Sequence, residues 1–511
     1  MNVHTLNEVG VLNKAMTAQL AEVERRIGNG DLTVDSAAKY EAINAHLRKA
    51  LLDMPSINAA LNQAQAGLFK TADVGYQTAA GLGSGNLSAL IAQSIEPMVS
   101  SATFDQGEIV FLNKVAKSRA SQVLHEYARV TDRGRSPNAG FVSEGSAGGN
   151  ALSSYDRGSV KIKYMGNRRE VTDVASLINL IGVPTEALAE QTMQGLLSLS
   201  KDTERALFYG DSSIDSLHFD GVIKQIKDYN SSSNVNNLDG SPISMDYLED
   251  KLGELGSAPT FGYPDTIYVT PKVWRDLSRQ TQSAGRIQLN GAAITYGVRE
   301  LSVMGPHGPV PIVSAPFLEN HDAAPSAALN SDDAPSTPSI TQQPTDNGSG
   351  TSYWGSGDAG TYYWKIVAVG AKGESAPVTT DALAVTAGAK PKIVISSSNT
   401  GVRSYKVYRS DKDGAASTCK FAFSVACTTG VATSITDLNT VRNACSPVLF
   451  VNHKSEFMSF AQLLDTFRRP LAEVETTKPF VIMRFGALVV KVPSKMWLLE
   501  NVATSTPINP S

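Results

Sequence analysis

Gln122-Val-Leu-His-Glu-Tyr-Ala-Arg-Val-Thr131, joined by a long polar loop to Ser159-Val-Lys-Ile-Lys-Tyr164, is the stretch around which this chain is organised. The first segment is rich in β-branched and aromatic residues, the side chains that suit a strand. The second alternates, with Val160, Ile162 and Tyr164 expected on one face and Ser159, Lys161 and Lys163 on the other. Between them, Asp132 to Gly158 holds Gly134, Pro137, Gly140, Gly145, Gly148 and Gly149, a turn-forming composition. Arms of about 10 residues at ~3.3 Å each make a hairpin reaching roughly 30 Å. A two-stranded ribbon of that reach is marginal in water, so its apolar face needs an outside wall. Further copies of the same chain are one source of it. On these residues alone, an edge hairpin of an ordinary sheet stays an open alternative.

The whole chain has 511 residues, enough for two to four domains and a proper core. Its 42% hydrophobic and 18% charged residues are ordinary for a globular protein, and the net charge of −4 supplies no basic field to recruit nucleic acid or membrane. The most apolar run, Phe480 to Val492, is broken by Arg484 and Lys491, so no membrane span is expected. The N-terminus lacks a charged-then-apolar signal pattern, which places folding in the cytoplasm. Cys419, Cys427 and Cys445 include no CxxC pair and no clustered histidine, so neither zinc nor a required disulfide framework is expected. Buried free thiols and a Cys419–Cys427 bridge both remain open.

Residues 1–70 read as helical, with Val9, Met16, Leu20, Val23 and Ile27 forming a narrow apolar seam. Gly28-Asn-Gly30-Asp31 separates this helix from a second one (Asp35 to Leu52) that stops before Pro55. Either an assembly arm or a plain helical hairpin fits. Residues 71–120 form an arm whose glycines, Gly75, Gly81, Gly83 and Gly85, give it flexibility. After the 121–173 hairpin, the segment 174–239 contains the longest expected helix, Pro184 to Tyr209. It has proline in its first turn, Glu186 and Glu190 early, Arg205 late, and Gly210 to close it. Leu188, Thr192, Leu196, Leu199, Thr203 and Ala206 or Leu207 form its packing stripe.

Within 240–318 the pattern predicts a helix (Met245 to Leu255), a strand (Thr266 to Thr270) and a proline-started helix (Pro271 to Arg279). A hairpin turning at Gly305-Pro-His-Gly308 follows. Composition then shifts. His321 to Gly350 reads as linker, and strands at Thr361–Val369, Lys392–Ser396, Ser404–Arg409 and Phe421–Val425 predict an all-β sandwich within 319–446. From 447 to 511 the α+β character returns. Val448–Val451 is a strand, Phe460–Phe467 reads as helical, and Phe480–Val492 as a strand pair turning at Gly486. The sandwich is therefore expected as an insertion into a domain that resumes after it.

Catalytic patterns are weak. Gly210-Asp-Ser212 with Asp215-Ser-Leu-His218 has the words of a GDSL hydrolase, but six residues apart and after a helix, so a polar turn is the better reading. His125-Glu126 lacks the second histidine of a zinc protease, and Asp411-Lys-Asp413-Gly414 lacks the glutamate that closes a calcium loop and reads as a hairpin turn. With no Walker lysine and no defensible triad, neither catalysis, cofactor nor metal is expected. One charge pattern stands out. Arg129, Arg133, Arg135, Arg157, Lys161, Lys163, Arg168 and Arg169 outnumber Glu126, Asp132, Glu144, Asp156 and Glu170 across 121–172. Together with Tyr164, these basic residues are the candidate inter-subunit contacts, set to dock on a neighbour's acidic surface. A merely solvated charged face is the alternative.

The order of parts resembles the major capsid proteins of tailed bacteriophages with the HK97-like fold. Phe480-Val-Ile-Met-Arg-Phe-Gly-Ala-Leu-Val-Val-Lys-Val-Pro493 closes the likeness. Phe111-Leu-Asn-Lys-Val-Ala-Lys-Ser-Arg-Ala-Ser-Gln-Val-Leu-His-Glu126, with Asn138 and Glu144-Gly145, looks like the subgroup related to phage SU10. The likeness covers 75–318 and 447–503. It implies an α+β fold in which 121–173 is the extended E-loop, 184–209 the spine of the peripheral domain, and 240–318 the axial domain. Residues 447–511 would return to the axial and peripheral domains. It further implies a homo-oligomer of pentamers and hexamers forming an icosahedral shell around double-stranded DNA, assembled in the host bacterial cytoplasm. Partners would be a portal and scaffolding or decoration proteins, with no membrane.

Two departures limit the carry-over. Some relatives cross-link an E-loop lysine, but no lysine lies between Lys117 and Lys161, so no such mesh is expected. Some lose an N-terminal scaffold segment to a protease, and here retention is expected. The inserted region separately resembles immunoglobulin-like or fibronectin type III modules at Tyr362–Val369, Gly373-Glu-Ser375 and Ser404–Ser410, which implies surface decoration or a weak glycan contact. An encapsulin-like compartment shell is the first alternative. A hydrolase using Ser212, or an adhesin using the sandwich, is the second.

Overall fold

The computed structural model describes residues 103–134, 141–147, 149–177, 186–229, 234–284, 300–473 and 475–504. The helices expected at 1–70, the arm up to residue 102, Arg135, Asn138 and Pro184 lie outside the described residues. Phe111–Lys114 (α1) is seated by Phe111, which is fully buried with its ring 4.8 Å from Phe208 and 5.2 Å from Tyr268. Strand Lys117–Arg119 (β1) follows, then Leu124–Asp132 (β2), Ser154–Lys161 (β3) and Lys163–Thr172 (β4). Short helix Asp173–Leu177 (α2) leads to the long helix Ala187–Tyr209 (α3), which spans about 34 Å at 1.5 Å per residue.

Leu199, Thr203 and Leu207 of the expected stripe are buried, joined by Gly195, Glu204 and Phe208. Gly210 ends α3 by a different route from a left-handed cap. Its φ is −53°, and a Cβ there would lie 2.2 Å from the Phe219 carbonyl oxygen. Glycine is required for close approach, not for handedness.

Val222–Asp228 (α4), Val235–Asn237 (β5), Met245–Gly256 (α5), Thr266–Val269 (β6), Pro271–Ala284 (α6), Leu301–Gly305 (β7) and Gly308–Ser314 (β8) come next. Ser244 caps α5 by accepting the Tyr247 N–H at 3.1 Å, and Pro271 opens α6, where its missing N–H costs nothing. The chain then leaves this sheet and builds Ile340–Asp346 (β9), Gly360–Tyr362 (β10), Trp364–Val369 (β11), Val378–Thr379 (β12), Leu383–Val385 (β13), Pro391–Ile395 (β14), Ser404–Arg409 (β15), Lys420–Ala426 (β16) and Thr433–Thr436 (β17). It returns with Cys445–Val451 (β18), which pairs antiparallel with β6.

The inserted strands form a four-stranded sheet (β12-β11-β15-β16) and a three-stranded sheet (β17-β14-β9) that share one apolar core, including Trp364, Ile366, Val407, Ile393 and Ile435. The stretch expected as free linker is folded. It supplies β9, and Ala324 packs over Val367, Tyr408 and Cys419 on the outer face of the larger sheet. Those side chains would otherwise be bare, because alternation puts apolar residues on both faces. All three cysteines are free, and burial pushes the Cys419 and Cys445 thiols up to about 11. Arg442 bridges insert and body, reaching Asp358 at 3.0 Å and Asp239 at 3.5 Å.

The final strands carry two corrections. Phe460–Phe467 is not a helix but part of the 13-residue strand Met458–Pro470 (β19). Register shifts at Gln462/Leu464 and Leu464/Phe467 break the two-residue alternation, so the apolar residues acquire a helix-like spacing. Phe480–Val492 is not a strand pair but lies mostly within one strand, Thr477–Val490 (β20). Gly486 makes no turn. A Cβ there would meet the Phe460 ring at 2.4 Å, so glycine lets that buried ring cross the strand. Trp497–Ala503 (β21), not anticipated, completes the six-stranded sheet β5-β21-β18-β6-β8-β7. The other body sheet runs β1-β19-β20-β4, with α3 packed on one face through Leu199, Val171, Phe480 and Ile482.

Candidate assembly interface

β2 and β3 pair antiparallel from Leu124↔Lys161 to Asp132↔Ser154, with a bulge between Val130 and Asp132. The second arm thus begins five residues before Ser159. At its root, Ile162 is fully buried and donates its N–H to the Val123 carbonyl at 2.8 Å. There the alternation slips by one residue. Tyr164 therefore lies on the face opposite the one its spacing from Ile162 predicts and is 58% exposed. A one-residue slip exchanges every later side chain between faces.

The proximal half of the hairpin leans on its own subunit. The Tyr127 ring crosses to Gly158, where a Cβ would clash at 2.4 Å, and burial raises its phenol pKa. The Tyr127 hydroxyl donates to the Val490 carbonyl at 3.5 Å, and Arg129 to that of Lys491 at 3.4 Å. Among the described residues the distal half has no such wall. Val130, Val142 and Tyr155 are exposed, and Phe141 and Leu152 are each 84% exposed.

The expected basic residues separate into groups. Arg129 pairs with Asp156 at 2.5 Å and Arg157 with Glu126 at 2.5 Å, so both charges are spent across the ribbon. Lys163 donates to the Ser216 carbonyl and Arg169 to Gln191 at 3.4 Å, inside the subunit. Arg168 reaches Glu170 at 3.4 Å. Arg133 and Lys161 are exposed on the ribbon. The candidate basic residues thus divide into pairs across the ribbon, contacts inside the subunit and exposed positions.

Sequence reasoning missed a second surface. Opposite α3, the β1-β19-β20-β4 sheet carries three cross-strand rows: Tyr164–Phe485–Leu464, Gly166–Met483–Phe467 and Arg168–Val481–Arg469. Phe485 stands edge-on to Tyr164 at 5.1 Å and to Phe467 at 5.4 Å. Its available signal was that β20 is apolar at odd and even positions alike, which marks a strand covered on both faces. Sequence reasoning also missed Glu204. This buried carboxylate on α3 accepts the backbone N–H groups of Val110 (3.1 Å), Phe111 (2.7 Å) and Leu112 (2.7 Å), holding α1 in place.

The hydrolase words resolve into turns. Ser212 donates its N–H to Asp220 at 2.8 Å, while Asp215 accepts the Leu217 N–H at 2.9 Å and stands 3.9 Å from His218. Among the described residues no group of three or more metal-ligating side chains occurs, and no helix is long and apolar enough to cross a membrane.

The described residues thus present an exposed apolar end of the hairpin and, opposite α3, a sheet face of half-buried and exposed side chains. Residues 89–334 match the family model described as SU10 major capsid protein. The major capsid protein of Staphylococcus phage S25-3 is 22% identical over 430 residues, 81% of this chain and 90% of that one. Among solved structures, the capsid of a native GTA particle superposes with a TM-score of 0.43 at 9% identity, over 84% of this chain and 100% of that one. The SrpI encapsulin of Synechococcus elongatus PCC 7942 superposes with a TM-score of 0.43 at 8% identity, over 86% of this chain and 100% of that one. The chain is thus similar to phage major capsid proteins over most of its length, and its residues 89–334 carry the pattern of the SU10 major capsid family.

Proposed function

We propose that copies of this chain assemble into pentamers and hexamers of an icosahedral shell enclosing double-stranded DNA, each copy laying its hairpin as an E-loop on a neighbour. The supporting observation is the unwalled distal hairpin, where Phe141 and Leu152 stand almost wholly in solvent. Exposed apolar groups of this size, clustered on one projection, mark a protein contact rather than a stable free surface. The inserted sandwich decorates the outer surface, as an immunoglobulin-like module would. Portal and scaffolding proteins complete assembly in the host cytoplasm, and packaged DNA lies nearby without sequence-specific contact.

The test is assembly of the purified chain, followed by sedimentation and negative-stain microscopy. Wild type forms particles, and Phe141→Ser with Leu152→Ser leaves capsomers or monomers of unchanged secondary structure. Particle formation by the double variant at the wild-type concentration would refute the role given to the hairpin. Nuclease-protected DNA in particles from infected cells separates a genome container from a protein-cargo compartment.

A further inference from the structure

We infer that the bare face centred on Gly166 is the seat for the Phe141–Glu144 tip of a second copy, with Glu144 of the tip paired to Arg469 and Arg168. This rests on the hairpin reading above and names its receiving surface.

The first observation is Gly166 itself. It sits inside β4, where glycine weakens a strand by roughly 0.5–1 kcal/mol relative to alanine. Its own subunit does not require it. A Cβ there would have only ordinary contacts, the nearest 3.5 Å away on Val481, and its backbone is not left-handed. Gly158, Gly195 and Gly486, by contrast, each face an atom of their own subunit at 2.6 Å or less. With no bulge in the β4–β20 pairing, such a strand glycine leaves room for another backbone to come close. Between Tyr164 and Arg168 it leaves one position of the face without a side chain, in the row it shares with Met483 and Phe467.

The second observation is charge. The hairpin arginines Arg129 and Arg157 are neutralised by Asp156 and Glu126. The described part of the tip presents Phe141, Val142 and the exposed carboxylate Glu144, held at a turn where the Ser146 N–H meets the Ser143 carbonyl, with Arg133 and Leu152 exposed further down the two arms. Among the described residues Glu144 has no ion-pair partner, and neither has Arg469; Arg168 is shared with Glu170. Apolar tip then acid faces apolar rows then arginine.

The experiment is assembly of the full chain carrying Gly166→Val, Glu144→Arg, Arg469→Glu, or the last two together, with circular dichroism confirming each fold. Gly166→Val is expected to leave unfolding unchanged or slightly harder while raising the concentration needed for particles about tenfold, because many equivalent contacts each weaken. Each charge reversal raises it similarly, and the pair restores most of the loss. Normal assembly by Gly166→Val, or a double reversal no better than the worse single, overturns this seat. If Phe141→Ser with Leu152→Ser also assembles normally, the hairpin reading itself fails. If that variant fails while these four are silent, the tip docks elsewhere and only this inference falls.

Discussion

Removing the Glu204 carboxylate should detach α1 from α3 and abolish a pH dependence whose sign can be worked out. Glu204 is fully buried and accepts three backbone N–H groups, at 3.1, 2.7 and 2.7 Å, from the segment that also inserts Phe111 between Phe208 and Tyr268. Glu204→Ala leaves those donors without their acceptor. One unsatisfied buried donor costs about 1–3 kcal/mol, and three neighbours sharing one site are not additive, so a loss of about 3–5 kcal/mol is expected. Glu204→Gln keeps one acceptor oxygen and should lose about 1–2 kcal/mol.

Burial raises the Glu204 pKa, and the three N–H groups lower it only in part, so its folded value lies above the ordinary one. The folded chain then holds a proton that the unfolded chain has released. Its contribution is fully present below the ordinary glutamate value of about 4.3, and is lost as pH rises through the raised folded value. Urea unfolding of unassembled subunits, followed from acid to neutral pH, measures this. The difference between wild type and Glu204→Gln should shift against wild type as pH rises through that window. Amide exchange at Val110, Phe111 and Leu112 should accelerate in Glu204→Ala. Loss of under 1 kcal/mol in Glu204→Ala, or a difference that shifts toward wild type with rising pH, would refute the reasoning.

Two further substitutions probe other parts of the fold. Gly486→Ala places a methyl group 2.4 Å from the Phe460 ring, so it should cost about 1–3 kcal/mol in urea unfolding, and Phe460→Leu in the same chain should recover part of it; a neutral Gly486→Ala would mean that the ring does not cross there. In the insert, Arg409 holds both Asp437 oxygens at 3.0 Å with both side chains 2% exposed, so Asp437→Ala should cost about 3–5 kcal/mol by stranding a buried cation. Trp364, whose Nε1 donates to Asp437 at 2.8 Å, reports the loss by fluorescence, and Arg409→Met with Asp437→Leu should be far milder than Asp437→Ala alone.

What could be read directly from the residues was whatever local chemistry decides. The β-branched arms around a glycine-rich loop specify a hairpin, Ser244 and Pro271 start helices, and the Gly305-Pro-His-Gly308 turn joins two strands whatever they pack against. The resemblance in Phe111–Glu126 pointed to a capsid protein because a run of side chains was similar, without any contact being known. Three-dimensional packing decided the rest. Phe460–Phe467 has helical spacing but becomes strand, since two bulges and pairing with β20 outweigh a local period. Gly486 looks like a turn until the Phe460 ring is seen crossing it. Arg129 and Arg157 count as free basic charge in the sequence, yet each meets an acid across the ribbon at a register that only pairing sets. The sheet face opposite α3 shows in the sequence only through the two-sided apolar run of β20. Its rows join β4 to the consecutive strands β19 and β20 far downstream, and side chains so far apart along the chain become one surface only when hydrogen bonding fixes which residues stand opposite each other.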